Sequence, residues 1–448
     1  MKKRIIIIVS CLSTILISIL PMGLSPEWNG KNMYHRNQYE LLADSFIKGR
    51  LDIEYDKVYY ESLSKLENPY DFELRNEKNV IYKWDHAYYK GKYYVYFGVV
   101  PVIIIFLPYR FIAGKSLNTY HATQIYVAIF IIGIFYLFYY LKKKTKSKIS
   151  DFEYILASIG VSLATVWYAT GYPALYTTAI TAGLMFSILS IIMYMKCILD
   201  KRKSIKYLLL GALFGALIFG CRPTIGFVNI LFFPALLSVI KKEKRSEKFL
   251  ITLLSLLPYL LIAVLLMLYN YVRFDSLFEF GQSYQLTDSD QSHLLDITLN
   301  LKHMLNSLKN FFFYNEPFGD KFPFIKYFGL FLNYPVMVLP LVLLFSKKIR
   351  KELKDNNLFS SYILIIVSIV ISVIFITLMV PYVIVRYHMD VIYLFGILLY
   401  ICYLLLADKK YIRVLFIIIF IDIIIKSFLL YMIPDMYNFP SHLYNKDL

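Results

Sequence analysis

The chain has 448 residues, 58% of them hydrophobic and 18% aromatic, with a formal net charge of +17 and a mean hydropathy of +0.56. Soluble domains lie nearer to about 45–50% apolar, and apolar runs of roughly 18 or more residues recur here, the length that a bilayer helix needs. Composition therefore excludes a soluble enzyme and predicts an all-α, polytopic membrane protein.

The positive charge sits in short loops between apolar runs: "MKKR", "KKKTKSK", "DKRKS", "KKEKR", "KKIRKELK" and "DKKYIR". The positive-inside rule produces that distribution, so no nucleic-acid partner is expected. Cys11, Cys197, Cys221 and Cys402 lie in or beside apolar segments without paired spacing, and read as small apolar residues rather than a disulfide or metal framework.

In chain order, "MKKRIIIIVSCLSTILISILPMGLS" is longer than a signal core and lacks a small-x-small cleavage site, so it is expected to stay as a first helix with a cytoplasmic N-terminus. Further apolar spans fall near 97–113, 122–141, 153–171, 176–197, 206–221, 224–240, 249–272, 328–346, 360–380, 388–406 and 411–432. With the first helix these predict about 11–12 transmembrane helices in one membrane domain, 1–448. The polar stretches 24–96 and 273–327 are too long for turns and are expected as two large extracytoplasmic loops. Charge counting from the two ends disagrees by one crossing. Either 97–113 or 122–141 is re-entrant or interfacial, or the basic loop "KKKTKSK" is an exception to the rule; the expectation is eleven full crossings with an external C-terminus.

In the first loop, "QYELLADSFIKGRLDI" spaces Tyr39, Leu42, Ala43 and Phe46 as an interfacial amphipathic helix does and ends at Gly49. Most of the acids nearby read as solvated. Asp85, in "WDHAYYKGKYYVYFGVVP", differs because it stands beside Trp84 one step from the bilayer, where desolvation raises basicity as a general base requires. The surrounding Trp84, His86, Tyr88, Tyr93 and Tyr94 form either a sugar or acceptor platform or an ordinary interfacial aromatic belt. "NPYDFELR" is a turn that orders the loop, with Asp71 and Arg75 as lesser ligand candidates.

Arginine is depleted on the outer face, so Arg222 in "FGCRPTIG", Arg273 in "YNYVRFDS" and Arg386 in "VIVRYHMD" are informative. Guanidinium groups bind phosphate bidentately and stay charged, and "CRPT" reads as a helix break lining a cavity. The competing explanation is snorkelling, or an ion pair such as Arg386 with Asp390. Asp422 and Lys426, one turn apart, read as a private ion pair. No phosphate-cradling loop, HExxH, GxSxG or Cys/His metal spacing occurs. No cofactor is identified, and a divalent metal is left open.

This layout resembles the membrane-embedded GT-C glycosyltransferases, and in style the protein O-mannosyltransferase and aminoarabinose-transferase group. "QYELLADSFIKGRLDI" is similar to that group's Tyr-x-x-x-Ala…Gly-x-Leu stretch. "YYKGKYYVYFGVVP" stands where the group approaches its second span, and "LGALFGALIFGCRPTIGFVNILFFPALL" resembles its Gly-rich helix, polar turn and Pro-containing helix. The likeness covers about the first 240 residues. The chain departs where the group carries its acidic base before the Tyr: His35 and Arg36 stand there. Asp85, or another loop acid such as Asp44 or Asp56, then takes the role, or catalysis is absent.

The resemblance implies transfer of a sugar from a polyprenyl-phosphate-linked donor to an extracytoplasmic cell-wall polymer, lipid or protein at a bacterial plasma membrane. Arg222, Arg273 and Arg386 would hold the donor phosphate, and membrane lipids would surround the donor tail. The competing classes are a transporter or flippase of lipid-linked saccharides, and a non-catalytic scaffold.

Overall fold

The computed structural model describes residues 2–24, 37–171, 175–200, 204–241, 243–288, 297–315, 322–324, 329–379 and 385–433. His35, Arg36 and parts of the 273–327 loop fall outside these. The chain is a helical, multi-pass membrane protein. Among the described residues nine helices are long and apolar enough to cross a bilayer: Lys3–Pro21, Thr119–Lys144, Asp151–Gly171, Tyr176–Leu199, Pro223–Ile240, Arg245–Phe274, Phe359–Met379, Val385–Leu406 and Lys410–Tyr431.

The remaining expected spans are shorter. Val102–Ala113 covers about 18 Å at ~1.5 Å per residue, against a hydrocarbon core of about 30 Å. It opens with a π-helical turn, Val102–Phe106, and stops at Gly114, whose φ of +68° ends the helix. Of the two expected segments, 97–113 thus yields a helix too short to cross alone, whereas Thr119–Lys144 is long enough. Ile205–Phe219 is also short. The expected span 328–346 is not one helix: it divides into Leu330–Asn333, a 3-10 turn Pro335–Val338, and Leu339–Leu343. Pro335 and Pro340 each start a new piece, because proline has no N–H for the preceding turn.

Within the bundle, Val385–Leu406 is nearly enclosed and serves as the central span, whereas Lys3–Pro21 and Arg245–Phe274 present most of their surface outward. Many polar groups within the bundle are paired, as an apolar medium favours. Tyr259 donates to Asn229 Oδ1 (2.8 Å), whose Nδ2 donates to the carbonyls of Gly215 and Gly226, both at 2.9 Å. Asp422 and Lys426 pair with each other at 2.8 Å.

The first loop folds into three short helices, Gln38–Ile47, Lys57–Leu63 and Phe72–Glu77, and a hairpin, Ala87–Tyr89 with Lys92–Tyr94. The hairpin turn has positive φ at both Lys90 (+46°) and Gly91 (+73°), the signature of a type I′ turn. Residues of the second loop lie along this hairpin. Asp85 N–H donates to the Leu286 carbonyl (3.0 Å), Leu286 N–H to the His86 carbonyl (2.9 Å), and Tyr88 N–H to the Tyr284 carbonyl (2.9 Å). Arg75, 1% exposed, donates to the carbonyls of Pro69 (2.5 Å) and Thr287. The two loops are therefore one assembly at one end of the bundle.

Three contacts seat that assembly on the bundle. Arg110 Nε donates to Asp44 (2.6 Å), Thr119 N–H donates to Glu40 (2.7 Å), and Val100 N–H donates to the Gly220 carbonyl (2.9 Å). The last contact needs glycine at position 98, where a Cβ would stand 2.2 Å from the Gly220 oxygen.

Candidate functional site

The site starts from a helix break. The helix Ile205–Phe219 ends before Gly220, Arg222 adopts an extended conformation, and Pro223 begins a 3-10 stretch. That break brings Arg222 to the segment Val385–His388 and the start of the central span. Arg222 Nε lies 2.8 and 2.9 Å from the two oxygens of Asp390, which is fully buried and also accepts from Thr224 Oγ1 at 2.6 Å. Asp390 is thus taken by Arg222, not by Arg386. Arg222 Nη2 is buried and meets no hydrogen-bond acceptor among the described residues.

Arg386 is held differently. Its guanidinium lies 4.0 Å from the Tyr176 ring centroid and 5.4 Å from that of Tyr387, and the same Tyr387 ring is 5.1 Å from the Arg222 guanidinium. Tyr387 is therefore a shared wall between two cations. Among the described residues no carboxylate forms an ion pair with Arg386; the acid whose charge it reaches is Asp85.

Asp85 is 6% exposed and sits where the two loops join. Gln285 Nε2 donates to its Oδ1 at 2.6 Å, and Gln38 Nε2 donates to its main-chain carbonyl at 3.0 Å. Burial pushes the Asp85 carboxyl up to about 6 from an ordinary 3.8, against the opposing pull of Arg386 and the Gln285 amide. Its φ of +58° is left-handed, a conformation that Asp and Asn tolerate and most residues do not.

The other sequence candidates divide cleanly. Asp44 is closed by Arg110 and by Ser116 Oγ at 3.1 Å. Asp56 is exposed at the start of Lys57–Leu63 and makes no capping bond. Neither comes to Asp85. Arg273 has every nitrogen engaged: Nη1 with the Val95 carbonyl (2.6 Å), Nη2 with Asn270 Oδ1 (2.9 Å) and Nε with the Tyr269 carbonyl (3.3 Å). It fastens the end of the first loop to Arg245–Phe274 and keeps no free edge for a phosphate.

The rings do not form an open platform. Tyr93 is fully buried, and Tyr88 and Tyr94 are each 7% exposed. Tyr93 packs edge-on against Tyr55, Tyr60 and His86 and donates to the Tyr59 carbonyl (3.1 Å); Tyr94 packs on Phe274. These residues are the core of the loop assembly. His86 Nδ1 lies 2.8 Å from the Trp84 carbonyl and 3.2 Å from Gln38 Nε2, and its Nε2 lies 2.7 Å from Tyr55 OH. Of the five, Trp84 alone is exposed.

The aromatic wall facing the cations comes from elsewhere. Tyr39, Phe97, Tyr176 and Tyr387 run from the first loop to Arg386. Sequence reading missed Tyr176, Tyr387, Gln285 and Gln38, which lie far from Asp85 along the chain. Asp390 was legible as a partner for an arginine, though not for which one.

The arrangement can accept a proton at Asp85 and bind an anion at Arg386, with Arg222 offering a further N–H. Among the described residues no group of three or more His, Cys, Asp or Glu side chains gathers as a metal site requires. No protein family, curated protein or solved structure matches the chain.

Proposed function

We propose that this chain is a membrane glycosyltransferase that takes a sugar from a polyprenyl-phosphate-linked donor and delivers it to a hydroxyl acceptor at the loop end, on the extracytoplasmic side of a bacterial plasma membrane. The observation that carries this reading is the juxtaposition of Asp85 with Arg386. One is a desolvated acid, the other a guanidinium with no ion-pair partner among the described residues, whose charge opposes the upward push of burial on the Asp85 carboxyl.

In the proposed step the Asp85 carboxylate takes the acceptor hydroxyl proton and the acceptor oxygen bonds to the anomeric carbon. The bond from that carbon to the donor phosphate oxygen breaks, and the phosphate leaves with the electron pair. Arg386 and the free edge of Arg222 balance the charge on the departing phosphate. Asp390, itself held by Thr224, engages Arg222 through Nε, so the other nitrogens of Arg222 keep one orientation. Asp44, Asp56 and Arg273 have no part in this step. A transporter needs ionisable groups along a path through the bundle; the intramembrane pair Asp422–Lys426 instead lies on a flank, with side chains 39% and 32% exposed.

The test is transfer from radiolabelled undecaprenyl-phosphate-linked hexoses by the purified chain in proteoliposomes. Asp85→Asn is expected to abolish transfer while the protein stays folded. Equal transfer by wild type and Asp85→Asn sinks the assignment of the base. Movement of intact donor across the membrane without bond cleavage sinks the enzyme.

A further inference from the structure

The end of the bundle away from the loops carries a charged face unused by the chemistry above. Phe359–Met379 runs from the Arg386 end to the short helix Lys347–Asp355, which therefore lies one crossing from the candidate site. Ile349 and Leu353 of that helix are buried, 1% and 0% exposed, and the helix packs on Phe359–Met379 and Met389–Leu406. At a helical repeat of about 100° per residue, Lys347, Lys351 and Lys354 form one stripe opposite these two anchors. All three lysines are exposed, and Lys348 and Arg350 flank them. None of the five forms an ion pair among the described residues.

Immediately before the helix, Phe345 is 82% exposed and Val342 56% exposed. An outward aromatic and aliphatic pair in and just after the short helix Leu339–Leu343, followed by a basic stripe held by two buried anchors, is the arrangement of a segment lying in the interface. Its apolar residues enter the acyl region and its lysines meet headgroups. We propose that Lys347–Asp355 is a binding face for anionic phospholipid headgroups, anchored by Phe345. Charge complementarity selects this occupant: zwitterionic headgroups leave the stripe unneutralised, whereas anionic ones match it at the depth the exposed Phe345 sets.

The experiment uses the full chain in nanodiscs of phosphatidylcholine with or without phosphatidylglycerol. Phosphatidylglycerol is expected to raise the apparent unfolding midpoint of the wild type. Lys347→Gln/Lys351→Gln/Lys354→Gln is expected to lose at least half of that rise, whereas Lys241→Gln/Lys244→Gln keeps it. In a separate Phe345→Trp variant, tryptophan quenching by acyl-brominated phosphatidylglycerol is expected to exceed that by brominated phosphatidylcholine. An unchanged lipid response in the triple variant, an equal loss in the Lys241/Lys244 control, or quenching independent of headgroup charge overturns the proposal.

Discussion

Glu153 and Asp85 are buried to similar extents, 2% and 6% exposed, at opposite ends of the molecule. Glu153 is closed on all sides: Tyr403 OH donates to it at 2.5 Å, Arg413 Nε and Nη2 at 2.7 and 2.6 Å, and Ser150 N–H at 2.6 Å. The Asp85 carboxylate accepts from one side chain, the Gln285 amide, with its cation at a distance. The arginines divide in the same way. Arg273 is consumed by protein acceptors, Arg222 half consumed, and Arg386 rests on rings. A buried charge whose partners are complete fixes structure; one whose partners are incomplete is where chemistry or a ligand enters.

This contrast breaks if the two acids respond alike to neutralisation. Asp85→Asn is the largest expected effect, a loss of about 10²–10⁴-fold in transfer, the range for removing a general base. Asparagine keeps the left-handed backbone at this position, so the folded fraction is expected to equal that of wild type by size-exclusion profile. Glu153→Gln is expected to leave transfer per folded molecule unchanged. A comparable loss in both variants erases the distinction.

Next in size is the arginine pair. Arg386→Gln removes charged hydrogen bonds worth about 1.5–3 kcal/mol to an anion, a donor affinity lowered roughly 10- to 100-fold, read as a rise in KM for the lipid-linked donor. Arg273→Gln is expected to leave that KM in place and lower the unfolding midpoint, since the Val95 carbonyl loses its donor. Smaller again is the stability cost of Glu153→Gln. Breaking a fully buried pair costs about 3–5 kcal/mol, but a third of the Arg413 side chain is exposed, so about 1–3 kcal/mol is expected in detergent thermal unfolding.

Much of the scaffold was legible because its signals are local. Apolar run length located the long helices, and Tyr39, Leu42, Ala43 and Gly49 framed the helix Gln38–Ile47 where it forms. The hairpin was not anticipated, although Lys90-Gly91 between tyrosine pairs carries its signal; the rings were expected as a sugar or acceptor platform or an interfacial aromatic belt. Their burial depends on the second loop, which covers them from nearly 200 residues away. Distance also hid the pairing of Arg222 with Asp390, since the helical spacing of Arg386 and Asp390 offers a nearer partner. The span 328–346 was misleading because average hydropathy does not register where Pro335 and Pro340 interrupt hydrogen bonding.

The last and smallest effect is on pH, and it sharpens the contrast because both its signs are fixed. Burial raises the Asp85 carboxyl to about 6 in the folded chain, above its ordinary 3.8. A general base must be ionised, so transfer is expected to fall about tenfold per pH unit below about 6 and to be flat just above it. Stability runs the other way. The folded chain holds this proton more tightly than the unfolded chain, so the contribution of Asp85 is fully present below pH 3.8 and is lost as pH rises through about 6. Asp85→Asn carries no ionisable group there. Its unfolding midpoint should therefore lose the decline that the wild type shows between pH 4 and 6, while the variant has no transfer at either pH. An acid that helped only to hold the loops together would show the stability change without an activity limb, and profiles of rate and midpoint measured on the same preparations separate the two.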